Sequence, residues 1–210
     1  MTTSLEGRKH LGQVFTPEEI ARFLVRWAVR RKTDRLLDPS CGDGRFLAHH
    51  PASTGVELDP QNATLARERV PGASIHEAEF FRWASDTAKR FEAAVGNPPF
   101  ILYQYFAGRT RELALELAGR LGVKISGLAS SWAPFLVVTA GLLKPGGRMA
   151  FVVPAEIGHA PYAAPVLSFL CSRFHQVRII ALRERLFPTL SEGAWLLFAD
   201  GFGGATDVIE

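Results

Sequence analysis

The sequence predicts an α/β protein whose doubly wound sheet has seven mostly parallel strands and an antiparallel last strand. Strand-like and helix-like hydrophobic patterns alternate along all 210 residues, which is typical of successive β-α-β units. The connection before the last predicted strand, residues 187–193, is too brief for a helical crossover. We therefore expect the last strand to run antiparallel to its neighbours.

The individual elements follow from hydrophobic periodicity and from signals at their ends. Thr16 has the residue type of a helix N-cap and Pro17 that of a first-turn residue, so the first helix is expected to begin there. Helices are also predicted at residues 111–121 and 131–143, the second of them capped by Ser131. Strands are predicted at residues 34–38, 53–58, 73–76, 91–96, 147–153, 175–182 and 194–200.

Composition favours one globular domain with its own hydrophobic core. The chain is 47% hydrophobic, and its two cysteines, Cys41 and Cys171, form neither a disulfide framework nor a metal-ligand spacing. We therefore expect a protein of the reducing cytoplasm, with no targeting signal and no membrane span. Basic residues outnumber acidic ones by eight to four in residues 1–37, which fits either a phosphate-rich partner or a solvated helix face.

A glycine-containing turn follows the first predicted strand. Residues 38–44 read DPSCGDG, and glycines at such a turn allow a ligand to approach the backbone closely. The third glycine of a dinucleotide fingerprint is replaced by Leu47. Two carboxylates, Asp38 and Asp43, flank the turn, and we expect them to repel a pyrophosphate but to favour a ligand with an ammonium and a sulfonium, such as S-adenosylmethionine.

Acidic residues also end the second and third predicted strands. Glu57 lies 19 residues after Asp38, close to the interval at which a carboxylate binds ribose hydroxyls in nucleotide-binding sheets. Glu79 offers an acceptor for an adenine amino group, and the backbone amide of Phe80 offers a donor for a ring nitrogen. Each signal alone is weak, but the ordered set at three strand ends predicts a cofactor site.

Asn97-Pro98-Pro99-Phe100 follows the fourth predicted strand and is the most specific signal in the chain. Prolines fix φ and lack an amide hydrogen, so the Asn97 side-chain oxygen and the Pro98 carbonyl can be held as converging acceptors. Two such acceptors suit the two hydrogens of a planar amine. Phe100 is expected to stack on the ring that carries the amine.

Taken together, these motifs resemble those of the adenine-N6 DNA methyltransferases of the gamma order, in the amino-group DNA methyltransferase family. In that order the cofactor motifs precede the catalytic motif and a recognition domain follows. The resemblance implies the class I S-adenosylmethionine-dependent methyltransferase fold, with S-adenosylmethionine as cofactor and S-adenosylhomocysteine as product. It also implies double-stranded DNA as substrate, with the target adenine flipped out of the duplex.

The resemblance assigns the site residues as follows. Residues 12–17, which read GQVFTP, resemble the segment that closes over the methionine part of the cofactor. The residues implied to bind the cofactor are Phe15, Thr16, Pro17, Asp38, Pro39, Ser40, Cys41, Gly42, Gly44, Glu57, Leu58, Glu79 and Phe80. The implied catalytic residues are Asn97, Pro98, Pro99 and Phe100, with Tyr162 as the second aromatic for the flipped base after the VVPA motif at residues 152–155.

The whole chain, residues 1–210, is expected to be one catalytic domain. Residues 1–32 would form the cofactor-closing segment and its helix, residues 33–96 the cofactor-binding half and residues 97–210 the target-base half. We expect no DNA-recognition domain within it, so recognition would come from a separate recognition or restriction subunit or from a longer chain. No metal is expected, and His49-His50 is expected to be solvated.

Two alternatives remain open at this stage. A methyltransferase acting on protein glutamine or on RNA adenine would also grip a planar amine, although the glutamine enzymes typically have Tyr where this chain has Phe100. A non-catalytic module with the same fold could instead bind DNA or a partner protein. Binding of S-adenosylmethionine would argue against the second alternative.

Overall fold

The computed structural model describes residues 16–182 and 193–210, which contain a seven-stranded sheet and six α-helices. The strands are β1 (Leu36–Asp38), β2 (Ser53–Glu57), β3 (Ser74–Glu77), β4 (Phe91–Gly96), β5 (Leu143–Pro154), β6 (Phe174–Ile180) and β7 (Ala194–Phe202). The helices are α1 (Glu18–Ala28), α2 (Pro60–Arg69), α3 (Phe80–Asp86), α4 (Gly108–Arg120), α5 (Trp132–Gly141) and α6 (Ala164–Arg173), with short 3-10 turns at Leu47–His49, Ala155–Gly158 and Pro161–Ala163.

The strand order is β3-β2-β1-β4-β5-β7-β6. Strands β1 to β5 pair in parallel, whereas β7 pairs antiparallel with β5 on one side and with β6 on the other. The expected antiparallel last strand is therefore confirmed. Because β1 to β4 point the same way, their carboxyl ends meet at one edge of the sheet, where ligands bind in open α/β folds.

The sheet separates two hydrophobic layers, as the alternation of strand residues requires. On β5, Met149, Phe151 and Val153 pack with helices α3 to α6, whereas Ala150 and Val152 pack with α1. Helix α5 carries apolar side chains all round apart from Thr139, and Trp132 to Ala140 are all buried. An all-apolar helix belongs inside the protein rather than on its surface, so α5 can bring side chains directly to the sheet edge.

Some predicted ends and contacts are wrong. Helix α1 begins at Glu18 with Pro17 at the N-cap position and no side-chain cap, so Thr16 is not its cap. Ser131 precedes α5 but makes no cap hydrogen bond, because its hydroxyl binds other partners that are described below. His50 is buried rather than solvated, with Nε2 2.5 Å from the carbonyl oxygen of Asp34.

Two absences hold for the part of the chain that the structure describes. None of the helices there is both long and apolar enough to cross a membrane. No group of three or more His, Cys, Asp or Glu side chains in residues 16–182 and 193–210 could hold a metal ion.

Gly55 on β2 has no room for a side chain, which gives a test of the packing under the glycine-containing turn. A Cβ placed there would lie 2.6 Å from Cys41 Sγ and 2.7 Å from Leu47 Cδ1. We expect Gly55→Ala to lower the free energy of unfolding by about 1–3 kcal/mol because a packed core must shift to accept the methyl group. Urea denaturation measures the change.

Gly72→Ala is the matched control, since a Cβ at Gly72 meets nothing within 4 Å. Its free energy of unfolding is expected to change by no more than about 0.5 kcal/mol or to rise slightly. Equal effects of the two substitutions would contradict the packing argument.

Candidate active site

A cavity of about 190 Å³ opens at the carboxyl ends of the parallel strands. The turn after β1, the ends of β2 and β4, and the start of α3 all contribute to its wall. Of the residues predicted from the sequence, those that line it are Thr16, Pro39, Ser40, Cys41, Gly42, Glu57, Leu58, Glu79, Phe80, Asn97 and Pro99. The predicted site residues that do not line it, among those described, are Pro17, Asp38, Gly44, Pro98, Phe100 and Tyr162; Phe15 lies outside the described residues.

Glu57 holds the glycine-containing turn against the end of β2. Its Oε2 accepts a hydrogen bond from the Gly42 amide at 2.8 Å, and its Oε1 accepts one from the Asp59 amide at 2.8 Å. Gly42 and Gly44 both have positive φ, at 53° and 80°, which bends the backbone tightly around the cavity. Burial raises the pKa of Glu57, and the amide hydrogen bonds oppose that rise.

Asp38 lies behind the turn and is fully buried. Its Oδ1 accepts from the Ser40 amide at 3.1 Å, while Oδ2 has no hydrogen-bond partner among the described residues. Burial, with smaller contributions from the nearby charges of Glu57 and Asp43, raises the pKa of Asp38 to about 8. Asp38 therefore holds its proton near neutral pH and shapes the turn from behind.

Asp43 is neutralised by two arginines. Its carboxylate pairs with Arg45 Nη2 at 2.8 Å and with Arg69 Nη1 at 2.8 Å. Burial acts to raise the pKa of Asp43, but the arginine contacts outweigh it and hold the pKa below its usual value. One of the two carboxylates that flank the turn is therefore buried with its proton, and the other is paired with arginines while it lines the cavity; their expected preference for a cationic ligand stays a prediction.

Glu79 lines the cavity and also caps helix α3. Its carboxylate accepts hydrogen bonds from the Phe81 amide at 3.0 Å and the Arg82 amide at 2.9 Å, which are donors that a helix start leaves unsatisfied. Burial raises its pKa, and these two hydrogen bonds oppose the rise. The next residue, Phe80, stacks on Phe135 of α5 with ring centroids 4.9 Å apart and planes 19° from parallel.

Arg45 connects the turn to the N-terminal segment. Its Nη1 donates to the carbonyl of Thr16, while its Nε and Nη2 bind Asp43. Thr16 is buried and lines the cavity, so the start of the described chain closes one side of it. Arg45 is not among the site residues predicted from the sequence, and its position directly after Gly44 is the one signal that points to it.

The residues after β4 bring the Asn97 motif to the same cavity. Asn97 and Pro99 line it, and the Asn97 carbonyl accepts a hydrogen bond from Ser40 Oγ at 3.4 Å. Pro98 is buried. Phe100 is half-buried and packs against both hydrophobic layers, outside the cavity wall. The predicted cofactor turn and the predicted catalytic motif are therefore in direct contact.

Ser131 holds the Asn97 motif from the opposite side. Its hydroxyl donates to the Pro99 carbonyl and accepts from the Ile101 amide at 3.0 Å, and its own amide donates to the Ile101 carbonyl at 2.9 Å. Ser131 is fully buried and lines the cavity. These contacts explain why its hydroxyl does not cap α5.

Tyr162 belongs to a hydrogen-bonded cluster beside the cavity. Its hydroxyl donates to Ser130 Oγ at 3.2 Å and accepts from Trp132 Nε1 at 3.3 Å, and Trp132 Nε1 also donates to Glu156 Oε1 at 2.6 Å. Burial and the neighbouring Glu156 carboxylate raise the pKa of Tyr162 to about 12. Its ring packs against the core.

Several cavity residues were missed by the sequence analysis, which did not place them in the site. They are Arg45, Phe46, Val56, Asn62, Ala78, Phe81, Ile101, Phe106, Thr110, Ser131 and Phe135; Asp43, which the sequence already places in the glycine-containing turn, lines the cavity as well. Most of the apolar ones follow ordinary core periodicity. Nothing in their local pattern distinguishes a cavity-lining position from a core position.

The buried Asp38 carboxyl predicts a specific dependence of stability on pH. Its folded pKa of about 8 lies above the ordinary value of 3.8, so the folded state holds a proton that the unfolded state releases. Stability from this group is therefore present below about pH 4 and is lost as pH rises to about 8. We expect the stability of Asp38→Asn relative to the wild type to increase over that window and then level off, as measured by thermal unfolding from pH 5 to pH 9.

Asp43→Asn is a control for which the opposite pH dependence is expected, because the pKa of Asp43 is lowered in the folded protein. That variant should be less stable than the wild type at neutral pH, and the difference should shrink as pH falls through the folded pKa of Asp43. Parallel curves for the wild type and Asp38→Asn would show that Asp38 is ionised in the folded protein at neutral pH.

Comparisons with known proteins identify relatives among named methyltransferases. The Type II methyltransferase M.TthHB8I of Thermus thermophilus is 32% identical over 157 residues, which cover 70% of this chain and 35% of that protein. The release factor glutamine methyltransferase of Vibrio cholerae is 44% identical over only 52 residues, or 23% of this chain. The present chain thus spans about a third of the length of the first relative.

The fold and the family follow from two further findings. A Listeria monocytogenes protein assigned to the class I S-adenosylmethionine-dependent methyltransferases superposes with a TM-score of 0.73 at 20% identity, covering 97% of this chain and 66% of that one. The chain therefore has the class I methyltransferase fold. The family model described as N-6 DNA Methylase matches residues 3–160. This chain belongs to the N-6 DNA methylase family.

Proposed function

We propose that this chain is the catalytic domain of a DNA methyltransferase that transfers a methyl group from S-adenosylmethionine to N6 of a flipped adenine, within a restriction-modification or related system. The observation that carries the proposal is the contact between two motifs. Asn97 and Pro99 line the same cavity as Glu57 and Glu79, and Ser40 binds the Asn97 carbonyl. A methyl donor and a methyl acceptor would meet at that contact.

The cavity has the chemistry that S-adenosylmethionine requires. The Glu57 carboxylate accepts backbone hydrogen bonds from Gly42 and Asp59, and a carboxylate has about four lone-pair sites, so further acceptor capacity is available for a ribose hydroxyl. Glu79 offers acceptors for the adenine amino group. Leu58, Phe80 and Phe135 supply apolar wall for the adenine ring. When bound, S-adenosylmethionine supplies an activated methyl group.

The Asn97 motif would direct the target nitrogen. Adenine N6 is a poor nucleophile because its lone pair is delocalised into the ring. The Asn97 side-chain oxygen and the Pro98 carbonyl would accept both amino hydrogens, which favours a pyramidal nitrogen whose lone pair points at the methyl group. Positioning of this kind can lower a barrier by roughly 7–11 kcal/mol when the reacting atoms are well aligned.

Aromatic residues would hold the flipped base in place. Stacking on Phe100 is worth about 1–3 kcal/mol and is nearly independent of which base is stacked. Selectivity for adenine would therefore come from the two acceptors at Asn97 and Pro98. Tyr162 is the proposed second aromatic, although the family match ends at residue 160, just before it.

Double-stranded DNA is the proposed substrate, and sequence recognition would lie outside the described site. The chain spans 35% of the length of its Type II methyltransferase relative. A recognition domain on a longer chain, or a separate recognition or restriction subunit, would choose the adenine. Phe15 and Pro17 would close over the methionine part of the cofactor together with Thr16.

A second candidate is methylation of a glutamine side chain in a protein. It is favoured by the 52-residue match, at 44% identity, to a release factor glutamine methyltransferase. The carboxamide of glutamine also ends in a planar NH2 group with two hydrogens, so the same pair of acceptors would fit it. Parallel assays on plasmid DNA and on a purified release factor, each with tritiated S-adenosylmethionine, separate the two substrates.

Asn97→Ala should abolish methyl transfer while leaving S-adenosylmethionine binding nearly unchanged. The substitution removes one of the two acceptors for the amino group but leaves the Glu57 and Glu79 contacts in place. We expect turnover to fall by at least about 100-fold. Tritiated-methyl incorporation into unmethylated plasmid DNA measures turnover, and calorimetry measures the cofactor affinity.

Asn97→Asp is the matched variant, because it retains oxygen acceptors at the same position. We expect it to retain more activity than Asn97→Ala. Full turnover of Asn97→Ala on DNA would refute the proposed mechanism.

Glu57→Ala should weaken S-adenosylmethionine binding. It removes the proposed ribose contact and frees the Gly42 amide that Glu57 now holds. Loss of a charge-assisted hydrogen bond costs about 1.5–3 kcal/mol, or roughly 10- to 100-fold in the dissociation constant. Isothermal titration calorimetry measures the change.

Glu77→Ala is the control for Glu57→Ala. Glu77 pairs with Glu57 in the β2–β3 register but is exposed and lies outside the cavity wall. Its substitution should leave the dissociation constant unchanged. Equal constants for Glu57→Ala and the wild type would exclude the ribose role of Glu57.

A further inference from the structure

The strongest unassigned feature is the set of hydrogen bonds that Ser131 makes with residues 99–101. A single buried residue contacts the Pro99 carbonyl, the Ile101 amide and the Ile101 carbonyl. The two hydroxyl contacts and the backbone contact together fix both sides of Phe100. Ser131 is 32 residues from Pro99 in the chain, so this is a tertiary contact.

The Asn97 motif needs such an external support. Pro98 and Pro99 have no amide hydrogen, so neither can donate a backbone hydrogen bond that would anchor the turn. The proline ring fixes φ but leaves ψ to rotate. The ψ angle of Pro99 sets the direction of its carbonyl and of the peptide that leads to Phe100. A hydrogen-bond donor to the Pro99 carbonyl therefore restricts the ψ angle of Pro99, which the proline ring leaves free.

The neighbours of Ser131 contact the other segment implicated in holding the base. Ser130 accepts from the Tyr162 hydroxyl at 3.2 Å, and Trp132 donates to Glu156 at 2.6 Å. All three residues, 130–132, are buried at the start of α5. One short stretch thus links the Asn97 motif to the Tyr162 cluster through the apolar helix that fills the core.

We propose that Ser131 is a positioning residue for methyl transfer, which sets the conformation of the Asn97 motif through the Pro99 carbonyl and the Ile101 amide. The inference rests on the proposed function of Asn97. Ser131 acts through the motif and does not contact the reacting atoms. Its loss would misalign the acceptors at Asn97 and Pro98 without removing either of them.

The rival explanation is that Ser131 binds the cofactor directly, since it lines the cavity. A serine hydroxyl has a single hydrogen to donate. In this structure that hydrogen goes to the Pro99 carbonyl, and the Ser131 hydroxyl oxygen already accepts a hydrogen bond from the Ile101 amide. Ser131 would have to release the motif in order to donate a hydrogen bond to a ligand.

The test compares Ser131→Ala with Thr139→Val in the whole chain. Thr139 is a matched control because it is fully buried on α5, the helix that directly follows Ser131, and its hydroxyl has no hydrogen-bond partner among the described residues. For Ser131→Ala we expect kcat on unmethylated plasmid DNA to fall about 10- to 100-fold, since small misplacements of reacting groups have effects of that size. The KM for DNA and the Kd for S-adenosylmethionine should stay within about threefold of the wild type.

Ser131→Cys adds a graded variant, because a thiol is of similar size and is a weak donor. Its kcat should lie between those of the wild type and Ser131→Ala, and it keeps the comparison open if the alanine variant does not fold. Thr139→Val should retain wild-type kcat. Together these results would support a positioning role, since a general loss of core packing would affect Thr139→Val as well.

Three results would overturn the inference. Unchanged kcat in a folded Ser131→Ala would show that the motif keeps its conformation without the hydroxyl. A raised Kd for S-adenosylmethionine with unchanged kcat would assign Ser131 to cofactor binding. Equal losses in Ser131→Ala and Thr139→Val would indicate a packing effect. A wild-type chain that binds S-adenosylmethionine but methylates no DNA, either alone or together with its recognition domain or subunit, would instead contradict the proposed function on which the inference rests.

Discussion

The site depends on the parallel pairing of β1 with both β2 and β4. In this register Asp38 lies opposite Gly55, and Leu37 lies opposite Ala94, so the turn after β1 sits between the ends of its two neighbours. Small residues make the close approach possible. A Cβ at Gly96 would lie 2.9 Å from Asp38 Oδ1, and a Cβ at Gly55 would overlap Cys41. The glycine-containing turn and the Asn97 motif touch because these neighbouring strands end side by side.

The negative charges of the cavity do not follow from the acidic residues of the glycine-containing turn alone. The turn carries two acidic residues, but burial keeps the proton on Asp38, and Arg45 and Arg69 neutralise Asp43. Besides the arginine-paired Asp43, the carboxylates that line the cavity belong to Glu57 and Glu79 at the next two strand ends. Backbone amides hold both of them, so each glutamate shapes the wall and also presents acceptor oxygens to a ligand.

The apolar helix α5 supports the site from the interior. Its buried faces carry Phe135 to the cavity, where it stacks on Phe80, and Ser131, directly before its first residue, contacts the Asn97 motif. The antiparallel direction of β7 was predicted from a short connection, but β6 ends at Ile180 and the connection is longer than expected. The pairing of β7 with β5 and β6 shows that it is antiparallel, and the length of the connection alone does not determine that direction.

The sequence by itself determined the alternation of strands and helices, the glycine-containing turn and the Asn97 motif, because each depends on local periodicity, on backbone freedom or on adjacent residue types. Only the tertiary structure decided which carboxylates face the cavity and which residues support the motif. The charge state of Asp38 depends on burial by distant segments, and Ser131 binds Pro99 across 32 residues of sequence. Burial and long-range hydrogen bonds are properties of the packed chain, and a local pattern does not encode them.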